Sequence, residues 1–130
     1  MRSQARETVF KFIFSRLFNP SDEGLFDVLN KDLNEKDKNF AIQLLGYIDA
    51  NLDKYTEKTE TLAKNCRSGR IYGTDKCAIF IGMAELENFV DNDVPVIIDE
   101  AVKLAAKYST EKSTDFVNGI LAEYAKEVRG

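Results

Sequence analysis

At 130 residues, 44% hydrophobic and 31% charged, the chain is long enough to bury a core without disulfide or metal staples, and its composition excludes a disordered polymer. It contains no histidine, which removes the commonest general base and metal ligand together. The formal net charge of −4 speaks against indiscriminate nucleic-acid binding, although the placement of cations counts for more than their sum.

The first predicted helix covers residues 3–18. Val9, Phe10, Phe12, Ile13, Phe14, Leu17 and Phe18 take up more than half of its circumference, the pattern of a helix packed on several sides. Asn19-Pro20 ends it, because the residue before proline is driven out of the α region. The same stretch sets Arg2, Arg6, Lys11 and Arg16 against Glu7, a cationic excess in an acidic chain. Ser21 is the expected cap of a short second helix with Leu25, Phe26, Leu29 and Leu33 inward. A third helix follows Asn34 and runs to residue 52 on Phe40, Ile42, Leu44, Leu45 and Ile48.

Residues 53–64 are mostly charged, with Tyr55 and Leu62 as anchors, and read either as an extension of the third helix or as a separate short one. Residues 65–74 are the most loop-like stretch. A further helix is predicted over residues 74–89 on Ala78, Ile79, Ile81, Met83 and Leu86. Asp93 is then an expected N-cap with Pro95 in the first turn, where the missing N–H costs nothing. Ile97, Ile98, Ala101, Val102, Leu104, Ala105 and Tyr108 line the helix that follows.

The last helix is expected to begin between residues 111 and 113. Inside it Asn118-Gly119 is a strong turn signal, opposed by Phe116, Val117, Ile120, Leu121, Tyr124 and Val128 at helical spacing. Helix is expected to win. Gly119 would then let a neighbouring helix approach more closely than alanine permits, so leucine there would overpack. No repeat or linker interrupts the chain, which predicts one all-α domain over residues 1–130.

Catalytic and cofactor motifs fail on spacing. In SGRIYGTDK, Gly69 and Gly73 stand too close together, and Thr74-Asp75 separates Gly73 from Lys76, so a phosphate loop is excluded. Glu and Lys mixtures on the helices read as solvated faces, and no enzyme is expected. Cys66 and Cys77 read as reduced thiols. With carboxylates they make a poor zinc donor set, so no metal or other cofactor is expected. The longest apolar stretch, residues 78–84, is too short to cross a bilayer, and the N-terminus lacks a secretory pattern; no membrane association and a cytoplasmic location are expected.

The second half is the most specific. DVPVIIDEAVKLAAKY followed by STEKSTDFVNGIL resembles the C-terminal signature of the NusB family of transcription antitermination factors. The matching positions are Asp93, Val94 and Pro95; Ile98 through Val102; Leu104, Ala105, Lys107 and Tyr108; and Phe116 through Leu121. Arg70, Ile71, Asp75, Lys76, Glu85 and Leu86 resemble the family's entry into its central helix, and Ala5-Arg6-Glu7 its N-terminal A-R-E.

The resemblance implies a compact bundle of about seven helices arranged as two packed three-helix sub-bundles. It also implies a non-catalytic adaptor that binds single-stranded boxA-like RNA together with a small-subunit ribosomal protein, NusE, in transcription elongation complexes on ribosomal RNA operons. Carried onto this sequence, the RNA-binding residues are Arg2, Arg6, Lys11, Phe14 and Lys112, and the partner-binding residues are Asp75 and Glu85.

Departures cluster in the RNA-binding set. Ser3 and Gln4 interrupt the usual arginine run, Phe14 replaces a tyrosine, and Lys11 and Lys112 stand where glutamine and an acid are usual. Gly82 and Ala84 replace an alanine and a tyrosine. The alternative is a NusB-like protein-interaction module with weak or lost RNA binding. Some relatives form homodimers that cover the RNA surface, and the sequence leaves the oligomeric state open.

Overall fold

A computed structural model describes residues 2–20, 24–64 and 71–130. Among these residues every regular element is an α-helix: α1 Arg2–Arg16, α2 Leu25–Asn30, α3 Glu35–Ala50, α4 Leu52–Ala63, α5 Gly73–Asn88, α6 Val94–Tyr108 and α7 Glu111–Arg129. Helices α2 and α3 each pack on α1, helices α5, α6 and α7 pack on one another, and α1 and α3 lie against α5 between the two groups. Ser21, Cys66 and Arg70 lie outside the described residues.

Helix α5 forms the centre. Every residue from Cys77 to Leu86 is buried, as expected of a helix apolar on all sides. Close packing is secured at Gly82, where a Cβ would stand 2.5 Å from Leu121 Cδ1 and 2.8 Å from Leu121 Cδ2. The close-approach glycine is therefore Gly82. Gly119 lies inside the intact helix α7, but a Cβ there would meet nothing within 4 Å, which overturns the packing role expected for it.

Local chemistry sets the element ends. The Asn34 side chain accepts the Asp37 N–H at 2.9 Å and caps α3. At Asn51 the backbone leaves helical geometry (φ −123°, ψ 19°), so the charged segment after α3 is a separate helix. That helix, α4, is anchored by fully buried Tyr55 and by Thr59 and Ala63. Asp93 occupies the N-cap position of α6 with extended backbone, but its side chain makes no capping bond. Thr110 caps α7, accepting from the Ser113 N–H. No helix among the described residues is long and apolar enough to cross a membrane.

Candidate nucleic-acid interface

Helix α1 distributes the expected RNA-binding residues to different sides. Arg2 and Arg6 turn toward α3, α5 and the α5–α6 turn, whereas Phe14 lies toward the C-terminal end of α6 and Lys11 is exposed one turn before it.

The Arg6 side is a buried ionic network. Glu85 lies within the apolar centre of α5 and is 0% exposed, and a carboxylate there needs a cation. Arg6, 4% exposed, supplies it: Nε donates to Oε1 at 2.7 Å and a terminal nitrogen to Oε2 at 2.6 Å. Its other terminal nitrogen donates to Glu100 Oε1 at 3.2 Å. Burial alone would lower the Arg6 pKa, but the two carboxylates outweigh it and hold the pKa above its ordinary value.

The Asn92 amide donates to Glu85 Oε2 at 3.0 Å, and its oxygen accepts from Arg2 at 2.5 Å. The Arg2 guanidinium also lies 5.0 Å from the Phe40 ring centroid, in a groove shared with Asp91, Asp93, Val96 and Glu100.

Arg6 and Glu85, assigned from the sequence to RNA and to a protein partner, are thus one ion pair inside the fold. Asp75 is equally inward: it is 0% exposed and accepts from Ser109 Oγ at 2.9 Å. Ser109 in turn bonds Ser113, which bonds the capping Thr110. Asp75 thereby ties the start of α5 to the α6–α7 turn. In the folded chain neither Asp75 nor Glu85 is a surface group.

The other side of α1 has a different character. Lys11 and Lys112 are exposed and Phe14 is half-buried. A file of rings leads outward from the core: Tyr108 on Phe10 at 4.7 Å, Phe10 on Phe14 at 6.2 Å, and Phe14 edge-on to Phe18 at 5.3 Å. Glu7, the neighbouring carboxylate, is occupied by hydrogen bonds from Lys107 and Tyr108, which hold its pKa below the usual value.

The file ends at a cleft of about 580 Å³ between the end of α1, the start of α5 and the α6–α7 turn. Phe14, Leu17, Phe18, Tyr72, Tyr108 and Thr110 line it, and none of its described lining residues is charged. Gly73 lets the Leu17 side chain lie close at the base of the cleft, since a Cβ there would stand 2.8 Å from Leu17 Cδ1.

Sequence reasoning missed Phe18 and Tyr72. Phe18 carried a usable signal, an aromatic at the very end of a helix and just before Asn19-Pro20, where a core role is hard to satisfy. Tyr72 carried none, because its position depends on how α5 meets α1. Among the described residues no group of three metal-ligating side chains converges.

Comparison with known proteins agrees with this architecture. The sequence model of the NusB family matches residues 3–126. The transcription antitermination protein NusB of Natranaerobius thermophilus is 32% identical, over 98% of this chain and 96% of its own length. The corresponding protein of Methylacidiphilum infernorum is 34% identical, over 97% and 91%. The solved structure of NusB from T. maritima superimposes with a TM-score of 0.84 at 32% identity, covering 98% of this chain and 92% of that one. A structure of the antitermination factors NusB and NusE in complex with dsRNA shares the fold, with a TM-score of 0.80 at 24% identity and coverage of 97% and 96%. With its helical order, its central α5 and nearly its whole length matched, this chain belongs to the NusB family.

Proposed function

We propose that the chain is an antitermination factor of NusB type, a non-catalytic adaptor that holds single-stranded boxA-like RNA together with the ribosomal protein NusE during ribosomal RNA transcription. The observation that carries this reading is the aromatic cleft whose described lining holds no acid, with exposed Lys11 one turn before its Phe14 and exposed Lys112 two residues after its Thr110. Such a surface offers unpaired RNA what it needs, cations for phosphates and ring faces for bases. The names of the relatives and the complex formed by a protein of the same fold support it.

Within this reading Lys11 and Lys112 neutralise phosphates, and Phe14 supports a stacked base. Arg2 reaches RNA that passes the N-terminal end of α1. Arg6 acts through position, fixing α1 against α5. Asp75 and Glu85 act likewise on the partner surface, by holding the start of α5 and the α6–α7 turn. The second reading, a protein-interaction module, draws on the groove beside Arg2, where Asp91, Asp93 and Glu100 would repel phosphate.

A salt titration of binding to a boxA-like single strand, with and without NusE, separates the two. Adaptor function requires micromolar or tighter affinity at physiological salt, and a log–log slope that flattens by about 0.7 for each phosphate contact removed. Lys11→Ala and Lys112→Ala should each produce that flattening. Binding of NusE without measurable RNA affinity rejects the adaptor in favour of the module.

A further inference from the structure

Three apolar side chains stand unusually open around one cleft: Leu17 at 55%, Phe18 at 76% and Tyr72 at 46% exposure. Single exposed apolar residues are ordinary on protein surfaces, but their convergence on one concavity singles it out as a candidate binding site. The cleft volume of about 580 Å³ falls within the range of roughly 300–1,000 Å³ for sites that receive small organic groups.

We infer that this cleft is a nucleobase pocket in which Phe18 and Tyr72 take up one unpaired base of the bound RNA, a subsite distinct from the phosphate contacts of Lys11 and Lys112. The inference rests on the RNA-binding reading above and deepens it.

Charge and chemistry favour a base over the other occupants. The described lining holds no cation to pair with a phosphate and no carboxylate to pair with a basic peptide, so a flat, neutral, aromatic group fits best. Gly73, the first residue of α5, and Thr110, the N-cap of α7, both line this cleft, and the positive end of α5 favours an electron-rich ligand edge. Lys11 stands one turn before Phe14, and Lys112 two residues beyond Thr110, so a strand whose phosphates meet either lysine can drop a base into the cleft. Phe14, held between Phe10 and Phe18, forms a fixed wall and keeps Phe18 from collapsing inward.

Stacking and phosphate contact leave different signatures. Replacing a stacking ring weakens binding by roughly tenfold or more without altering the salt slope, whereas removing a phosphate contact flattens that slope. Phe18→Leu and Tyr72→Leu, both at exposed positions, should therefore each lose roughly tenfold in affinity for a boxA-like single strand at an unchanged slope.

The chain has no tryptophan, so Phe18→Trp places a lone reporter in the pocket. Its emission should be quenched by RNA along the binding curve measured for that same variant. Parental affinity in both leucine variants, or unquenched emission at saturating RNA, overturns the pocket while leaving RNA binding intact. So does a loss confined to NusE binding, which would make the cleft a protein-docking site. Absence of RNA binding by the parent chain is the separate result that rejects the underlying adaptor reading.

Discussion

Arg6 and Glu85 are 79 positions apart in the chain and share two hydrogen bonds of 2.7 and 2.6 Å inside the fold. Breaking a buried pair by removing one partner strands the other charge and costs roughly 3–5 kcal/mol, a large part of the 5–15 kcal/mol typical of a folded domain. Arg6→Ala should lower the urea midpoint by a corresponding amount. Arg6→Lys should recover only part of it, because a single ammonium cannot reproduce the fork to both carboxylate oxygens. In the folded fraction of either variant the salt slope of RNA binding should remain parental. A slope flattened by about 0.7 would instead give Arg6 a phosphate of its own.

Acid should weaken the fold through Glu87. Burial alone would raise its pKa, but Lys54 at 2.6 Å and the Tyr55 hydroxyl at 2.7 Å donate to it and more than offset that, so the pKa lies below its ordinary 4.5. A carboxylate depressed in the folded state contributes stability that is complete above its unfolded pKa and is lost as pH falls through the lower folded value. Glu7 is depressed as well, through Lys107 and Tyr108, and adds to the same limb. Unfolding free energy should therefore decline as pH drops below about 4.5. Glu87→Gln should make that decline shallower in urea titrations, and an unchanged slope would remove Glu87 from the account.

Six of the helices were legible because apolar residues recur at helical spacing and because Asn19-Pro20, Asn34 and Asp93-Val94-Pro95 punctuate them. Helix α4 stayed open between a separate helix and an extension of α3, since no proline or glycine stands at the break at Asn51. Glu85 also carried a readable signal, since it is the one charge within the apolar run from Cys77 to Leu86, and a buried carboxylate implies a cation somewhere. Periodicity could not say that the cation was Arg6, because nothing local links α1 to α5. The cleft at Phe18 and Tyr72 was hidden for the same reason. It forms only when the end of one helix meets the start of another more than fifty residues later. Gly119 misled because a glycine beside an apolar stripe can lie at an interface or just outside it, and the choice depends on a few degrees of helix rotation.

The two glycines therefore make opposite predictions. Gly82→Ala would push a methyl group to 2.5 Å from Leu121, whose side chain is itself fully buried, and should cost on the order of 1–3 kcal/mol by overpacking. Combining it with Leu121→Ala should recover part of that loss relative to the sum of the single changes, since the clash and the cavity occupy the same space. Gly119→Ala adds a Cβ in open space within a helix and should raise stability by up to about 1 kcal/mol through helix propensity. Thermal unfolding of the four variants, Leu121→Ala alone included, checks this, and a loss at Gly119→Ala would restore the packing role to that residue.

Arg129 should matter more than its place near the end of α7 suggests. Its guanidinium donates to the backbone oxygens of Leu86 at 2.6 Å, Phe89 at 2.9 Å and Asn92 at 3.0 Å. These carbonyls close α5 and the turn after it, where the helix leaves acceptors without intrahelical donors and a partial negative charge. Arg129→Ala should cost about 1–3 kcal/mol, and Arg129→Lys should restore little, because three divergent acceptors suit a planar fork better than a point charge. Asn92 also bonds Glu85 and Arg2, so the turn that Arg129 clamps is the one that holds the Arg6 network. Loosening it should speed amide exchange through residues 89–92. The stability losses of Arg129→Ala and Arg6→Ala should fall short of additivity in a double-mutant cycle. Strict additivity would mean that the two arginines stabilise separate parts of the bundle.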